Sequence, residues 1–442
     1  MTTSFLQVIV FLLLGIALII LLTTRYKVHA FFALFVACFV VGLGVQLPVN
    51  EILTAMKSGF GHIMDSLGFI IVLGTALGVL LEHTGCTAVM AEFILKKTGQ
   101  HRAPLAMNIT GFIVGMPIFC DSGYIVLSGL NQSLARRTGI NMAIMATSLA
   151  SGLYAVHCLI PPHPGAAAAA GILTVDFGKL ILTGIGVALP AGIVGYIWAR
   201  YAGRKLPASD TRIDEEVIDN KVRPGVLQSF LPVIVPIVLI AIGAFAKVEH
   251  DDNVLWQVLN TAGNPIIALC AGVILALTTM RGTSTVMLGK LLQEGAEKAG
   301  GILVIIGAGG AFGAVLAATK LGTHLSDAVS LKSMGILFPF LITALLKTAQ
   351  GSSTVAIITS ASIIQPLLLS LGLDSDTGRL LCILSMGAGS MTLSHANDAY
   401  FWVISKFSGL EMKTMLRVYS IATLFMGLTA FMVVYVLSLF MM

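Results

Sequence analysis

The chain has 442 residues, of which 57% are hydrophobic and only 11% are charged, whereas about 25% of an average soluble domain is charged. The 26 basic and 21 acidic residues are too few to form the charged surface of a soluble protein this long, so soluble, disordered and fibrous classes are excluded. The net charge of +5 comes from short basic clusters between apolar runs. This pattern is typical of membrane orientation and not of nucleic-acid binding.

The apolar runs predict an all-α polytopic membrane protein, because about 20 mostly apolar residues span a bilayer as one helix. Two longer apolar regions, 104–175 and 335–394, are broken by polar clusters, Gly and Pro. Each is too long for one span and too interrupted for three. No basic segment precedes the first apolar run, so we expect that run to remain as a span. The clear spans are 5–22, 30–46, 68–81, 178–198, 230–245, 265–279, 301–318 and 415–439.

Basic clusters orient these spans, because loops rich in Lys and Arg stay in the cytoplasm. The spans connect consistently only if about 104–136 is a re-entrant hairpin that enters and leaves on the cytoplasmic side. The same reasoning makes about 335–371 a hairpin entered from outside, and it places both termini outside. The cytoplasmic anchors are Arg25, Lys27, Lys96, Lys97, Arg102, Arg136, Arg137, Arg200, Arg204, Lys205, Arg281, Lys290 and Lys298.

A hydrophilic linker at 202–228 divides the chain into two halves that look duplicated. Asp121 and Ser352 are 231 positions apart, and His163 and Asn397 are 234 apart. A near-constant offset indicates an internal repeat. Because the second half begins on the other side of the membrane, the repeats are predicted to be inverted, as in secondary transporters. The predicted parts are repeat 1–201, with a broken helix at about 140–176, and repeat 229–442, with a broken helix at about 378–407.

Two polar clusters are predicted to form the hairpin tips. A tip inside the membrane has backbone groups that lipid cannot satisfy, so it must face protein or water. Asp, Ser and Thr can cap the returning helix, whose N-terminus attracts anions. The alternative is that these are ordinary polar loops. The tip residues are Asp121, Ser122 and Gly123 in the first hairpin, and Gln350, Gly351, Ser352, Ser353 and Thr354 in the second.

Two further clusters are predicted to break helices near the midplane. Three prolines among residues 161–164 exclude a regular helix, and Pro164 suits the start of the next one. Asn397 or Asp398 is the predicted N-cap of the helix that follows the second break. Ionisable groups are costly inside a membrane and therefore indicate function, although some could only cap helices or satisfy backbone. These candidates are Asp121, His157, His163, Lys347, His395 and Asp398.

Lys347 and two glycine pairs have more than one interpretation. Lys347 lies one helical turn before the second tip, where it could pair with a substrate carboxylate, with Asp121 or with Asp398. Alternatively, it could extend to the membrane surface. The spacings Gly74-x-x-x-Gly78 and Gly309-x-x-x-Gly313 are typical of close helix packing.

These polar blocks resemble those of the gluconate:proton symporter (gluconate permease) family over nearly the whole chain. The most distinctive is Val-His-x-x-x-Pro-Pro-His-Pro, here at 156–164. A Gly-Ser-Ala-Thr-Val-Ala block corresponds to 351–356, and a Ser-His-x-Asn-Asp-x-x-Phe-Trp block to 394–402. Departures bear on the substrate, because many members have Glu at the position of Asp121 and Ala at that of Ser353.

The resemblance implies proton-coupled uptake of a small hydroxylated carboxylate, such as gluconate, across the bacterial inner membrane. It also implies an elevator mechanism and a homodimer, and no enzymatic activity. The substrate is expected to bind the two tips with Lys347, His163, His395, Asn397 and Asp398. Burial raises the pKa of carboxyl groups and His titrates near neutrality, so the coupling proton is expected on one of Asp121, His157, His163 and Asp398.

Several alternatives remain open from the sequence. The same hairpins would suit sodium coupling, since unwound carbonyls and hydroxyl side chains also bind Na⁺. A permease for D-serine or another hydroxy acid is a second alternative. A passive channel and an intramembrane hydrolase are other classes. The hydrolase has little support, because no H-E-x-x-H string is present and the polar residues come in symmetric pairs. The six single cysteines predict neither a metal site nor a cofactor.

Overall fold

The computed structural model describes residues 5–204, 224–246, 254–280, 284–319, 333–395 and 398–441. Most of the predicted linker and Asn397 lie outside these residues. Within them the regular elements are all helical. The helices are α1 (Phe5–Thr24), α2 (Ala30–Gly44), α3 (Val49–His83), α4 (Cys86–Thr98), α5 (Ala103–Val114), α6 (Cys120–Thr138), α7 (Met142–Leu159), α8 (Pro164–Leu173), α9 (Phe177–Gly203), α10 (Val226–Ala246), α11 (Val254–Ala262), α12 (Pro265–Thr278), α13 (Thr285–Ala318), α14 (Leu337–Gln350), α15 (Ser353–Ile364), α16 (Asp376–Met391), α17 (Ala399–Ser408) and α18 (Met412–Met441).

The long helices confirm a polytopic membrane protein. In the described residues, seven helices are long and apolar enough to cross a bilayer, and an eighth span results if α11 and α12, bent by 65°, are counted as one. Short turns over 365–371 extend α15, and a π-helical turn at Leu416–Ser420 lies within α18. The fold is therefore a bundle of membrane-spanning helices.

Two predicted spans proved much longer than expected. The prediction 68–81 is the second half of α3, which has 35 residues, and 301–318 is the second half of α13, which has 34. The first half of α3 carries the exposed charged residues Glu51, Lys57 and Asp65. These charges lower the mean hydropathy without interrupting the helix, because they lie on its solvent-exposed surface.

Helices α3 and α13 pack against each other in antiparallel directions. Gly59 of α3 faces Gly310 of α13. A Cβ added to Gly310 would lie 2.7 Å from the carbonyl oxygen of Gly59. Further along, Gly295 faces Ala76, and its added Cβ would lie 2.9 Å from the Ala76 Cα. Since the residue numbers rise on one helix as they fall on the other, the two helices run in opposite directions.

The two broken helices are also antiparallel. Tyr154 in α7 donates a hydrogen bond of 3.2 Å to the Ser390 carbonyl near the end of α16. Arg379 at the start of α16 donates one of 2.8 Å to Thr174, which follows α8. The α7–α8 and α16–α17 segments thus cross the bundle in opposite directions, with their breaks near each other.

The two predicted glycine pairs pack closely, as expected. An added Cβ at Gly74 would lie 3.1 Å from Pro162 in the first helix break, and one at Gly78 would lie 3.0 Å from the Pro117 carbonyl. Gly309 faces Ile358 of α15, and Gly313 lies against Gln365 just beyond that helix. These contacts place the glycine faces of α3 and α13 against the segments that contain the helix breaks.

Candidate functional site

The break between α7 and α8 follows from its prolines. Pro164 is the first residue of α8, as predicted, where its missing N–H leaves no hydrogen bond unmade. His163 precedes it, is buried, and lies 2.6 Å through Nε2 from the Gly115 carbonyl at the first hairpin tip. Because a carbonyl oxygen only accepts, Nε2 must carry the hydrogen. His163 therefore ties the helix break to the hairpin.

The break between α16 and α17 is organised around Asp398. Its Oδ1 accepts a hydrogen bond of 3.0 Å from the backbone N–H of Tyr400, so Asp398 is the N-cap of α17, as predicted for this residue or its neighbour. Its Oδ2 accepts from Lys347 Nζ at 2.6 Å and from Ser394 Oγ at 2.5 Å. Three donors thus hold this carboxylate.

Lys347 pairs with Asp398 inside the protein. Its Nζ also donates to the Gly351 carbonyl at 2.5 Å, and the residue is only 1% exposed. The alternative that Lys347 extends to the membrane surface is therefore wrong. Isolated buried charges are strongly unfavourable, so the lysine points toward the carboxylate instead. The last turn of α14, the second tip and the start of α17 are joined by this one ammonium group.

The two hairpin tips begin their returning helices differently. At the second tip Ser352 caps α15, accepting from the Val355 N–H at 3.3 Å, as predicted. At the first tip the N-cap of α6 is Phe119, without a side-chain cap, and Asp121 lies in the first turn. The prediction that a polar side chain caps this helix is wrong, because the chain turns two residues before the aspartate.

Four helix N-termini meet at this centre, those of α6, α8, α15 and α17. Gly165 at the start of α8 packs on Thr354 at the start of α15. Asp121 at the start of α6 is close enough to Asp398 and Lys347 for electrostatic interaction. Each N-terminus carries about half a positive charge. The arrangement makes a polar, positively polarised centre inside a bundle of apolar helices.

The other predicted residues of the tips and breaks fall into two groups. Ser122 and Thr354 are partly exposed, and Ser353 is buried in the first turn of α15. Gly123 instead faces α7, where an added Cβ would lie 2.8 Å from the Leu153 side chain. We interpret Gly123 as a packing residue rather than a ligand.

Three further predicted residues belong to the second tip and the second break. Gln350 is the last residue of α14. Asn397 lies outside the described residues. His395 contacts the Thr348 carbonyl through Nε2 at 3.1 Å, so it connects the second break to the helix that leads into the second tip.

Four buried polar atoms near the centre have no hydrogen-bond partner among the described residues. They are Asp121 Oδ1, His157 Nδ1 and the hydroxyl oxygens of Tyr124 and Tyr419. The rings of His157 and His163 are 4.9 Å apart. A buried unsatisfied polar atom costs about 1–3 kcal/mol, so it requires an explanation such as a bound water, an ion or a functional role. Asp121 Oδ1 and His157 Nδ1 belong to acid–base side chains, and they are the positions where a proton, a water or a ligand group would be bound.

The sequence interpretation missed a group of aromatic rings beside the centre. Tyr154 stacks between His157, at 6.3 Å between centroids, and Tyr400, at 5.6 Å. Tyr124 and Tyr419 each lie 6.1 Å from Tyr400. Part of the signal was present, because Tyr400 lies within the polar block at the second break and Tyr154 lies two residues before the block at the first. Helical spacing alone does not distinguish such rings from ordinary core residues.

Long apolar helices around a polar centre made of helix breaks define a polytopic membrane transporter. The chain belongs to the GntP family permeases, whose family model matches residues 7–440. It is accordingly a multi-pass protein of the bacterial inner membrane and not an enzyme. Its family transports sugar acids and related small molecules across that membrane.

Several curated relatives align along nearly their whole length. A gluconate permease of Pseudomonas aeruginosa is 34% identical over 431 residues, covering 95% of each chain. The D-serine transporter DsdX of Escherichia coli (strain K12) is 30% identical over 436 residues, covering 97% of each. The high-affinity gluconate transporter of the same strain is 29% identical over 419 residues, covering 93% of this chain and 95% of that one.

Solved structures share the fold at low sequence identity. The YdaH transporter of Alcanivorax borkumensis superposes with a TM-score of 0.67 at 17% identity, over 89% of each chain. The MtrF efflux pump of Neisseria gonorrhoeae superposes with a TM-score of 0.63 at 17% identity, over 87% of this chain and 83% of that one. This likeness supports the transporter fold.

Proposed function

We propose that this permease is a proton-coupled symporter that takes up a small hydroxylated carboxylate, with gluconate or a related sugar acid as substrate. The observation that carries the proposal is the contrast between two carboxylates at the centre. Asp398 is held by three donors, whereas Asp121 has a buried oxygen without a partner. One carboxylate is thus balanced, and the other is available to a proton.

The substrate carboxylate would bind at the N-termini of α6 and α8. Neither helix has a side-chain cap. The first-turn N–H groups of residues 120–122 in α6, and of Gly165 and Ala166 after Pro164 in α8, would therefore bind an anion. The hydroxyls of Ser122, Ser352 and Thr354 lie at the edges of the same centre. They would bind the substrate's hydroxyl groups, as would His395 and the predicted ligand Asn397.

Coupling follows from placing this anion beside Asp121. Two negative charges sharing a buried site repel each other strongly. Protonation of Asp121 removes that repulsion and turns its free oxygen into a hydrogen-bond donor. The substrate would therefore enter together with one proton. One proton entering with a monovalent anion moves no net charge, so the membrane potential neither drives nor opposes this step, and the inward pH gradient drives accumulation of the anion.

The other titratable residues would support this step. Lys347 and Asp398 neutralise each other, so their pair would hold the second tip against the second break. His157 has a free ring nitrogen beside His163 and would relay the proton between solution and Asp121. His163 would orient the first tip through its bond to Gly115.

We further propose that the two halves are inverted repeats that work by an elevator mechanism in a homodimer. The antiparallel packing of α3 with α13 and of the two broken helices supports the inversion. The pairs α5–α6 and α14–α15 would be the two re-entrant hairpins. Together with the broken helices they would form the moving body, and α3 and α13 would belong to the stationary scaffold.

Uptake into proteoliposomes tests the coupling ion. With an inward pH gradient and no sodium, labelled gluconate should accumulate above its external concentration, and a protonophore should abolish that accumulation. Uptake that requires sodium and resists the protonophore would favour the sodium-coupled alternative. Equilibration without accumulation would instead indicate a channel.

A D-serine or hydroxy-acid permease is the second candidate, because a D-serine transporter is 30% identical over nearly its full length. Competition against labelled gluconate by idonate, fructuronate, threonate and D-serine separates the candidates. A sugar-acid transporter should be inhibited by the aldonates at concentrations at which D-serine has no effect. The reverse order would assign the amino acid as substrate.

A further inference from the structure

Helices that should be equivalent in the two halves have different surroundings. In α8 and α15 every described residue is buried except Thr354, which is partly exposed. Their counterparts α17 and α6 have an open face, where Trp402 is 47% and Ile125 is 39% exposed. An exact repeat would bury both pairs equally, so the centre is closed on one side and open on the other.

The closed and open sides lie at opposite ends of the bundle. The chain reverses direction between the end of α6 and the start of α7, and α8 continues from α7 past the break. The far ends of α6 and α8 therefore point in opposite directions. Gln132 near the end of α6 donates to the Phe407 carbonyl near the end of α17 at 2.5 Å. Helices α6 and α17 thus extend together to the end that carries Arg136 and Arg137, which the positive-inside rule places in the cytoplasm.

On the closed side, α15 and α8 pack directly on the two long helices. Gly309 of α13 faces Ile358, and its carbonyl accepts a hydrogen bond of 2.7 Å from Ser362. Gly171 of α8 faces Leu67 of α3, where an added Cβ would lie 2.9 Å from the leucine side chain. Nothing the size of a sugar acid passes between surfaces in such contact.

A cavity of about 520 Å³ lies beyond this closed contact. It is lined by Ser58 and His62 of α3, by Ala314 of α13, by Ile172 at the end of α8 and by Gln365 just past α15. The 12 residues of α15 separate it from the second tip by about 18 Å. The cavity is thus an outer vestibule that does not reach the polar centre.

The open face combines polar and apolar residues in one continuous stripe. Ser122, Ile125 and Gln132 follow one face of α6 at helical spacing, and Trp402 and Lys406 follow one face of α17. The stripe begins beside Asp121 and ends among cytoplasmic basic residues. Polar Ser122 and Gln132 are unfavourable on a face turned only toward lipid, whereas Lys406 lies in the last turn of α17, where its side chain reaches the membrane surface.

We propose that the structure is the cytoplasm-facing state and that the stripe on α6 and α17 is the route by which the anionic substrate leaves. The packing of α15 on α13 is then the closed external gate. This inference rests on the proposed function for the identity of the substrate, but not for the position of the route or gate.

Disulfide trapping tests the gate. A Cβ built at Gly309 lies 3.6 Å from the Ile358 Cβ, within the usual range of about 3.5–4.5 Å for a disulfide. In the double variant Gly309→Cys/Ile358→Cys, oxidation should form a crosslink and reduce uptake at least tenfold, and reduction should restore uptake. The matched control is Ala76→Cys/Gly295→Cys within the α3–α13 pair, where the added Cβ lies 3.3 Å from the Ala76 Cβ, slightly below that range. Its crosslink should leave uptake within twofold of the reduced protein.

Either of two results would overturn the gate. A crosslinked Gly309→Cys/Ile358→Cys protein that transports normally would show that α15 need not leave α13. Failure of this pair to crosslink, while the control pair does, would show that the closed contact is not formed in the membrane.

Cysteine labelling tests the route without reference to the substrate. In a Cys270→Ser background, Trp402→Cys and Ile125→Cys should react with a membrane-impermeant maleimide in inverted membrane vesicles, but not in intact cells. Ala361→Cys, on the buried surface of α15, should remain unlabelled in both. Labelling of the first two variants only from outside would overturn the assignment. The expected labelling in a protein that takes up no sugar acid would reject the proposed function while leaving the route in place.

Discussion

At the scale of single residues, the centre combines one paired carboxylate with one that lacks a partner. Asp398 accepts hydrogen bonds from Lys347, from Ser394 and from the backbone N–H of Tyr400. Its negative charge is therefore paired with the lysine and stabilised by two further donors. Asp121 has a buried oxygen without a partner in the described residues. The two aspartates should therefore respond differently to the same substitution.

Asp121→Asn should reduce the accumulation of gluconate at least tenfold, while exchange of labelled for unlabelled gluconate continues. In the proposed mechanism asparagine mimics the protonated carboxyl group, so the substrate would still bind but no proton would be carried. Uptake driven by a pH gradient and counterflow measured without one separate these effects. Asp374→Asn, at an exposed position, is the control. Normal accumulation by Asp121→Asn would remove this residue from the coupling step.

Lys347→Met should destabilise the protein by about 3–5 kcal/mol, because it leaves the Asp398 carboxylate buried without its counter-charge. Adding Asp398→Asn should recover a large part of that loss, since asparagine is neutral and still caps a helix. Thermal melting in detergent measures both variants. If the double variant melts no higher than Lys347→Met alone, the pair does not account for the stability of this region.

The sequence was sufficient to predict which residues belong to the centre, but not which of the two aspartates pairs with the lysine. Polar residues in apolar surroundings identify Asp121, Lys347 and Asp398 as candidates, and Pro164 fixes where α8 begins. Which aspartate receives the lysine depends on how two distant segments pack, and neighbouring residues do not encode that. The N-cap of α6 was missed for a similar reason, since the turn of the first tip ends at Phe119.

At the scale of helices, the centre depends on the close approach of α3 and α13 to the broken segments. Gly74 and Gly78 allow α3 to reach Pro162 and the Pro117 carbonyl. An added Cβ would already be within 3.1 Å of these groups, so a side chain much larger than alanine would separate the surfaces. The glycine spacing predicted close packing, whereas the partner surfaces came only from the structure. Hydropathy also underestimated the length of α3, since the charged residues of its amphipathic first half lower the hydropathy there below that of a membrane span.

Gly74→Leu should reduce uptake at least tenfold, because the new side chain would collide with Pro162 at the first helix break. The control is Gly68→Leu on the same helix, where an added Cβ meets nothing within 4 Å. Both variants should reach the membrane in normal amounts, which immunoblotting of membranes checks. Equal loss in the two variants would indicate general damage to α3 instead of a specific contact.

At the scale of the whole molecule, composition and the placement of charges were sufficient to predict a membrane protein. The low charge content excluded a soluble fold, and the polar breaks identified a transporter before any comparison with relatives. The constant offset between halves predicted a repeat, and antiparallel long helices support its inversion. The open and closed sides could not be predicted, because one sequence must encode both ends of the transport cycle.

The length of α3 and α13 has a consequence for the lipid around the protein. At 35 and 34 residues, these helices are about 50 Å long, whereas the hydrocarbon core is about 30 Å thick. They must tilt, extend into the headgroups or thicken the bilayer nearby. The turnover rate in proteoliposomes should therefore depend on the acyl-chain length of the lipid and pass through an optimum. A turnover rate independent of chain length from 14 to about 22 carbons would contradict this view, in which membrane thickness tunes the transporter.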